Sequence, residues 1–423
     1  MASPSADAVT RSWPGGAPCA GTLQACIDAS AAADTVQIVT NTPITESLFL
    51  PRSLTLEGGI GFSAQMAVGF SIEGSSTDAN PYNIAIRRIA LTNAHVWVTH
   101  NQVGTANIEI RRVRIESTSA STNTGIQVFA GSGGDATVRI SDNYLQVAGT
   151  FQDHAGVEVR FTGNSGSALV DFNHLEAAGN FVSGWGSGIL AWAIDGATPT
   201  VTVINNEVRG RFGEAAIGIF EFGSTPGTVT ARVIGNAVSA RLRQDGQVGG
   251  IRHGIKDGSI NTQVINNTVV GTSLGMKFAR FAAGSAGTGS ISGPVQNNLI
   301  AFNRWGLFVQ SEFASPVQED YNLVFGNQLN DYTPGANDVV ADPKLRSLTD
   351  LRLQTGSPAI NQGNSFALLL FPSSIGLVDA DGLRRFKESV ADIGAYEFGD
   401  FSLRARALAP SNNHFAINQP LVD

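Results

Sequence analysis

Charge is what this chain has least of. Only 15% of its 423 residues are Asp, Glu, Lys or Arg, against about a quarter in an average soluble domain. Lysine is scarcest, with four residues, at 256, 277, 344 and 387, so most of the positive charge is arginine. The balance of 35 acids against 27 bases leaves a net charge of −8, which excludes nucleic acid as the main partner, because phosphate binding calls for a basic stripe. No apolar run reaches the length of a membrane-spanning helix. The 48 glycines have no three-residue period and the hydrophobic content is 42%, so collagen and disorder both fail. There are two cysteines, Cys19 and Cys26. In an exported protein they would pair across a short loop, and in the cytosol they would be ordinary small apolar residues. The opening MASPSADAVT has neither the basic start nor the apolar stretch of a signal peptide, so the expectation is a mature, exported chain whose leader has been removed. There is no zinc-spaced Cys/His set and no phosphate-binding glycine loop.

What the chain does have is repetition. The segments RISDNYLQV, VDFNHLEAA, VINNEVRG, VIGNAVSA, VINNTVVG, VQNNLIAF and EDYNLVFG place asparagines at 143, 173, 206, 236, 267, 298 and 322, at intervals of 24 to 33 residues. Alternating apolar residues flank each one, which is strand patterning. Each asparagine is expected at a sharp bend, where it tolerates unusual backbone angles. NIAIRRIAL and NIEIRRVRI carry the same alternation with Arg88 and Arg112 in the asparagine position. A second strand family keeps step: HVWVTH at 95, GIQVF at 125, GVEVR at 156, GILAW at 188, AIGIF at 216, GIKDG at 254, GMKFA at 275 and GLFVQ at 306. Short strands at this period, with Gly or Asn at the corners, predict an all-β right-handed parallel β-helix, one coil per repeat, with like positions stacked about 4.8 Å apart.

Open solenoid ends invite aggregation, so caps are expected. Residues 1–35 supply one: Thr22 can N-cap a helix that puts Leu23, Cys26 and Ile27 on one face, across the first coil at 36–39. The coils run over 36–330, a C-terminal cap over 331–398, and a linker or tail over 399–423. The stretch ADPKLRSLTDLRLQTGSPAINQGN, followed by VDADGLRRF and ADIGAYEF, resembles the C-terminal region of bacterial choice-of-anchor Q domain proteins, and the N-terminal CAGTLQACID and the Asn-bearing coils look similar to them too. That resemblance implies a right-handed, pectate-lyase-like β-helix and a secreted or cell-surface life. It implies no single activity.

Along each strand, outward residues of successive coils form columns. Aligning the second family gives one column of Trp97, Gln127, Glu158, Leu190, Gly218, Lys256, Lys277 and Phe308, and a second of Thr99, Phe129, Arg160, Trp192, Phe220, Gly258, Ala279 and Gln310. Rings beside charges suit an acidic polysaccharide or cell-surface glycan, because sugar faces pack on aromatics. Trp192, Phe220, Arg160, Glu158, Phe129 and Trp97 are the candidate binding residues. The other reading of these rings is core covered by a loop.

The densest chemistry lies in GGIRHGIKDGSI, residues 249–260. The alignment stacks Lys256 on Lys277, about 5 Å apart, so each lowers the other's pKa and one can act as a base. It also predicts an ion pair between Arg252 and Glu214, and it points Asp257 inward, with His253 or Arg252 relieving the buried charge. Cations beside an acid and a histidine equip a site for β-elimination in a uronate polymer, with Lys256, Lys277, Arg252, His253, Asp257 and Glu214 as the catalytic set. Glycoside hydrolysis needs two carboxylates and ranks below lyase; Glu214, Glu221 and Asp257 are its candidates, although alternation points Glu221 inward. A non-enzymatic scaffold or adhesin using the same face is the alternative outside enzymes. HVWVTH is similar to the pectate lyase vWiDH motif, but Thr99 stands where that motif has its calcium-binding Asp. HGIK at 253–256 is similar to polygalacturonase elements, yet no Asp-Asp pair exists. DADG at 379–382 resembles the start of a calcium loop, but the twelfth position is Val390, so no complete motif indicates calcium. Asp153-His154 and His174 read as corner residues, and a monomer is expected.

Overall fold

The computed structural model describes residues 8–76, 81–118, 124–131, 133–148, 155–177, 186–240, 249–281, 287–313, 317–329, 333–369, 377–385 and 390–399. Among them the chain is a parallel β-solenoid with very little helix. Its three sheets run the length of the stack. Sheet A has 12 strands, from Thr10–Trp13 to Val317–Asp320; sheet B has 9, from Ala90–Thr92 to Leu323–Phe325; sheet C has 10, from Leu48–Leu50 to Trp305–Val309. Each named strand pairs in parallel with its counterparts one coil away, as Ala136–Ser141 does with Ala106–Arg111 and Ser165–Asp171.

The alternation read from the sequence builds the core. In one coil Val138, Ile140, Leu145, Val147, Val157 and Val159 all point inward and are at most 3% exposed. Burying one such side chain contributes about 1.5–3 kcal/mol. The same set recurs in each coil, so one apolar column fills the solenoid from Leu23 to Val324.

All seven predicted asparagines stack into one ladder. Each Nδ2 donates to the Oδ1 of the next coil's asparagine at 2.9–3.0 Å, from Asn143 through to Asn322. Each also donates to a backbone carbonyl, as Asn206 does to Val170 at 2.8 Å, and each Oδ1 accepts a backbone N–H, as Asn236 does from Asn206 at 3.0 Å. The bend itself falls one residue earlier than expected. Asp142, Phe172, Asn205, Asn266, Asn297 and Tyr321 have φ of 54° to 57°, and Gly235 has 64°. That left-handed residue turns the chain so that the following asparagine aims inward. Arg88 and Arg112, with φ of 56° and 54°, belong to the left-handed position too, because Val113, not Arg112, donates to the Asn143 amide.

At the N-terminus, Thr22 caps the helix Leu23–Asp28 by accepting from the Ala25 N–H, and Leu23, Cys26 and Ile27 are its buried face. Cys19 and Cys26 form a disulfide. The coils start earlier than residue 36: Thr10–Trp13 already pairs with Thr35–Ile38, and the helix packs on that first strand and on Leu48–Leu50.

The C-terminal segment doubles back along the outside of sheet B. Leu345, Leu351, Leu353, Ile393 and Tyr396 pack on Ala237, Val270, Leu299 and Leu323, and Ala367, Leu368 and Ala391 pack on Ile204, Ile234 and Ile265. Asn266 Nδ2 donates to the Asp392 carbonyl at 2.7 Å, and Asn205 Nδ2 to that of Val378 at 3.2 Å. The outward column of sheet B accordingly changes from Arg114, Tyr144, His174 and Glu207 to Ala237, Thr268, Leu299 and Leu323 where the segment covers it.

Candidate functional site

The outer face of sheet C carries the candidate residues, and its register decides which of them meet. The first column is Trp97, Gln127, Glu158, Leu190, Gly218, Arg252, Lys277 and Phe308. The second is Thr99, Phe129, Arg160, Trp192, Phe220, Gly254 and Ala279. Arg252 therefore stands where the sequence alignment put Lys256. GGIRHGIKDG contains the pattern Gly-Ile-cation-x-Gly twice, four residues apart, and the strand Gly249–Ile255 uses the first copy.

This four-residue shift redistributes the predicted site. Lys256 lies past the strand, about 13 Å along the chain from Arg252; its Nζ donates to the Gly223 carbonyl at 2.7 Å and sits over the Phe222 ring. It does not stack on Lys277. Asp257 is not inward but half-buried at the corner, accepting from the Thr288 N–H at 3.3 Å. His253 is the residue that points inward: it is fully buried, stacks on Phe278 and shares a 2.8 Å hydrogen bond with Thr262 Oγ1. Burial pushes its pKa down to about 3, so it is a neutral core residue facing away from the surface. Glu221 also points inward, and its carboxylate accepts the N–H groups of Gly227, Lys256, Asp257 and Gly258 at 3.0–3.2 Å. It ties two coils together at a corner.

What the fold does bring together is Glu214, Arg252 and Lys277. Arg252 is 3% exposed and paired with Glu214, itself 7% exposed. The ion pair expected from the sequence thus forms, by a reach across the coil and not from a shared strand position. Burial lowers the Arg252 pKa to about 10, which leaves it cationic at neutral pH. Lys277, its neighbour on the next coil, has no ion-pair or hydrogen-bond partner among the described residues. Burial, and then the Arg252 charge, lower its pKa to about 8.

Beside these charges lies an aromatic cluster. Trp192 is edge-on to Phe220 at 5.0 Å and stacked with Phe281 at 5.9 Å, and Phe220 meets Phe281 at 5.0 Å. The Arg252 guanidinium lies over the Phe220 and Phe281 rings at 5.5 and 5.7 Å. Gly254 makes room for this: a Cβ there would be 3.0 Å from both phenylalanine rings. Phe220 is 1% exposed, so it is covered core and not part of an open groove, and Trp192 forms the half-buried rim. Alternation carried two residues beyond Ala279 places Phe281 on this face, a position outside the GMKFA repeat.

The other predicted binding residues lie farther along the same face. Glu158 is buried and accepts from Arg160 Nη2 at 2.7 Å, and the Arg160 guanidinium lies 4.7 Å over Phe129. Trp97 is 36% exposed and edge-on to Phe129 at 5.3 Å. His174 bonds Glu207 at 2.9 Å and stacks on Tyr144. Asp153-His154 falls outside the described residues. The DADG turn does not fit calcium, because Arg352 holds both Asp381 oxygens at 2.7 and 2.6 Å, while Asp379 accepts the N–H groups of Asp381, Leu383 and Glu397. No cluster of three or more His, Cys, Asp or Glu able to hold a metal occurs among the described residues.

A parallel β-solenoid is a fold consistent with carbohydrate-active proteins. No family model, curated protein or solved structure matches the chain.

Proposed function

We propose that this is an exported, right-handed β-helix protein related to the choice-of-anchor Q proteins, and that it cleaves an acidic polysaccharide by β-elimination. The observation that carries this reading is Lys277: an amine with no side-chain partner among the described residues and its pKa lowered to about 8, one strand from Arg252 of the Arg252–Glu214 pair and three strands from Trp192 on the same face. A base must be partly neutral at working pH, and a Lys near 8 meets that requirement. Neutral Lys277 takes the C5 proton of a uronate. The electron pair forms the C4–C5 double bond, the C4–O bond breaks, and the departing oxygen takes a proton from water. Arg252 is too buried to grip substrate, so it is a positioning residue whose charge tunes Lys277 and favours a carboxylate nearby. Trp192 offers its ring to a sugar face. The Cys19–Cys26 disulfide supports the exported location.

One observation favours a second reading, a glycan-binding scaffold: Trp97, Phe129 and Arg160 extend the aromatic and charged face several coils from Lys277. Incubation with a panel of uronate polymers separates the two. A rise in the ultraviolet absorbance of unsaturated uronides supports the lyase; glycan-array binding with no such rise supports the scaffold.

A further inference from the structure

We infer that a second site, an arginine cleft between sheets A and B, binds the anionic groups of an acidic glycan. The paired sequences IRR at 86–88 and 110–112 place Arg87-Arg88 and Arg111-Arg112 in register on adjacent coils. With Glu109 they line a surface cleft of about 250 Å³. Three of the four guanidiniums are already held. Arg87 takes both Glu109 oxygens at 2.9 and 2.8 Å; Arg88 pairs with Glu57 at 2.8 Å and donates to the Gly58 carbonyl; Arg111 pairs with Asp142 at 2.9 Å. Arg112 is exposed and has no partner among the described residues. The four cations face three carboxylates, which leaves one positive charge at the cleft, and that charge is Arg112.

The backbone gives an independent reason to look here. Arg88 and Arg112 both sit at the left-handed position, which disfavours a residue with a Cβ and no local hydrogen bond to compensate. The equivalent position holds Asn or Gly on four later coils, at Asn205, Gly235, Asn266 and Asn297, and Asp142, Phe172 and Tyr321 on three others. At Arg88 and Arg112 this corner residue is a cation whose side chain lines the cleft. Among the described residues the C-terminal segment makes no hydrogen bond at this corner, whereas farther along it occupies the same corner at Asn205, Asn266 and Asn297. Two arginine doublets about 4.8 Å apart give the cleft two rungs of guanidinium donors, spaced at close to one monosaccharide length, with the uncompensated charge on the second rung at Arg112. That spacing favours sulfate or carboxylate groups carried on successive sugars of a glycan over the more closely set charges of a polyphosphate. The inference stands whether or not Lys277 is a base.

The test is calorimetric titration at low salt with dextran sulfate, polygalacturonate, neutral dextran and polyglutamate. Wild-type protein is expected to bind at least one anionic glycan and not neutral dextran, and the stronger of the two identifies sulfate or carboxylate as the ligand group. Arg112→Asn removes the free charge and suits the left-handed backbone, so it is expected to weaken binding about tenfold with an unfolding temperature equal to or above wild type. Lys277→Ala is expected to leave dextran sulfate affinity within about twofold. Unchanged affinity in Arg112→Asn, no binding of either anionic glycan, or polyglutamate bound as tightly as the glycans would each overturn the inference.

Discussion

Arg252 and Lys277 stand directly opposite each other on adjacent strands of sheet C, at one outward register position. Two cations so placed repel, and Glu214 compensates only the first of them. The consequence is an amine held below its ordinary pKa beside the guanidinium that covers the aromatic cluster.

That relationship makes the pH profile of turnover sensitive to both neighbours. Activity should rise as pH passes through about 8, where Lys277 loses its proton. Arg252→Gln removes the repelling charge and should move the rise to higher pH. Glu214→Gln removes the compensating charge and should move it lower, while costing about 3–5 kcal/mol of stability because Arg252 is left buried without a counterion. Measured pH–rate curves check both directions; curves that coincide for all three proteins would dissociate Lys277 from its neighbours.

The asparagine ladder should be a large part of what fixes the coil register. Asn236→Ala deprives the Asn206 amide and backbone N–H of their shared acceptor. Two buried donors lose their partner, so the expected cost is about 2–4 kcal/mol, read by chemical denaturation. A loss below about 0.5 kcal/mol, the range of ordinary surface substitutions, would contradict this.

The C-terminal segment should make stability fall as pH rises. Burial pushes the Glu397 carboxyl up to about 8 from an ordinary 4.5, with Asp392 and Asp379 adding to the effect and Arg385 opposing it. Between those values the folded protein holds a proton that the unfolded chain has released, so stability is greatest at the acidic end and declines toward pH 8. Burial pushes Glu319 the same way, to about 7. Glu397→Gln stays neutral throughout, and its unfolding temperature should drop less than that of wild type between pH 5 and 8. Equal drops would count against the assignment.

Removing the Cys19–Cys26 disulfide, by Ser at both positions, should cost about 2–3 kcal/mol from the short loop it closes. In a solenoid each coil contacts only its neighbours, so the loss should stay local. Hydrogen exchange should quicken in Thr10–Trp13 and Leu23–Asp28 and stay unchanged in Ala215–Phe222. Uniform quickening would mean that the coils unfold as one unit.

Much of this architecture was legible in the residues, because solenoid coils repeat the same physical demands. The seven asparagines stand out since each must present one amide to the next coil. The register at 249–260 was harder, since alternation alone is satisfied twice by GGIRHGIKDG. Spacing would have decided it: the other coils place 16 to 23 residues between the strand-opening residue and the next ladder asparagine. Gly250 lies 17 residues before Asn267, and Gly254 only 13. The doubling back of the C-terminal segment was written in the change from Arg114 and Glu207 to Ala237 and Leu299 on sheet B, but a column can be read only once the register is known. The burial of Phe220 under Phe281 depends on side-chain reach between coils, which periodicity does not encode.

We propose Lys277, tuned by Arg252, as the base of a uronate lyase. Its most direct test is the initial rate of unsaturated uronide formation, followed by ultraviolet absorbance, for wild type, Lys256→Ala, Lys277→Ala and Lys277→Arg on the best polymer of the panel. Lys256→Ala should keep the wild-type rate and Lys277→Ala should lose at least about 100-fold, with no rescue by Lys277→Arg, which restores the charge but not a titratable amine. Full activity in Lys277→Ala would contradict it.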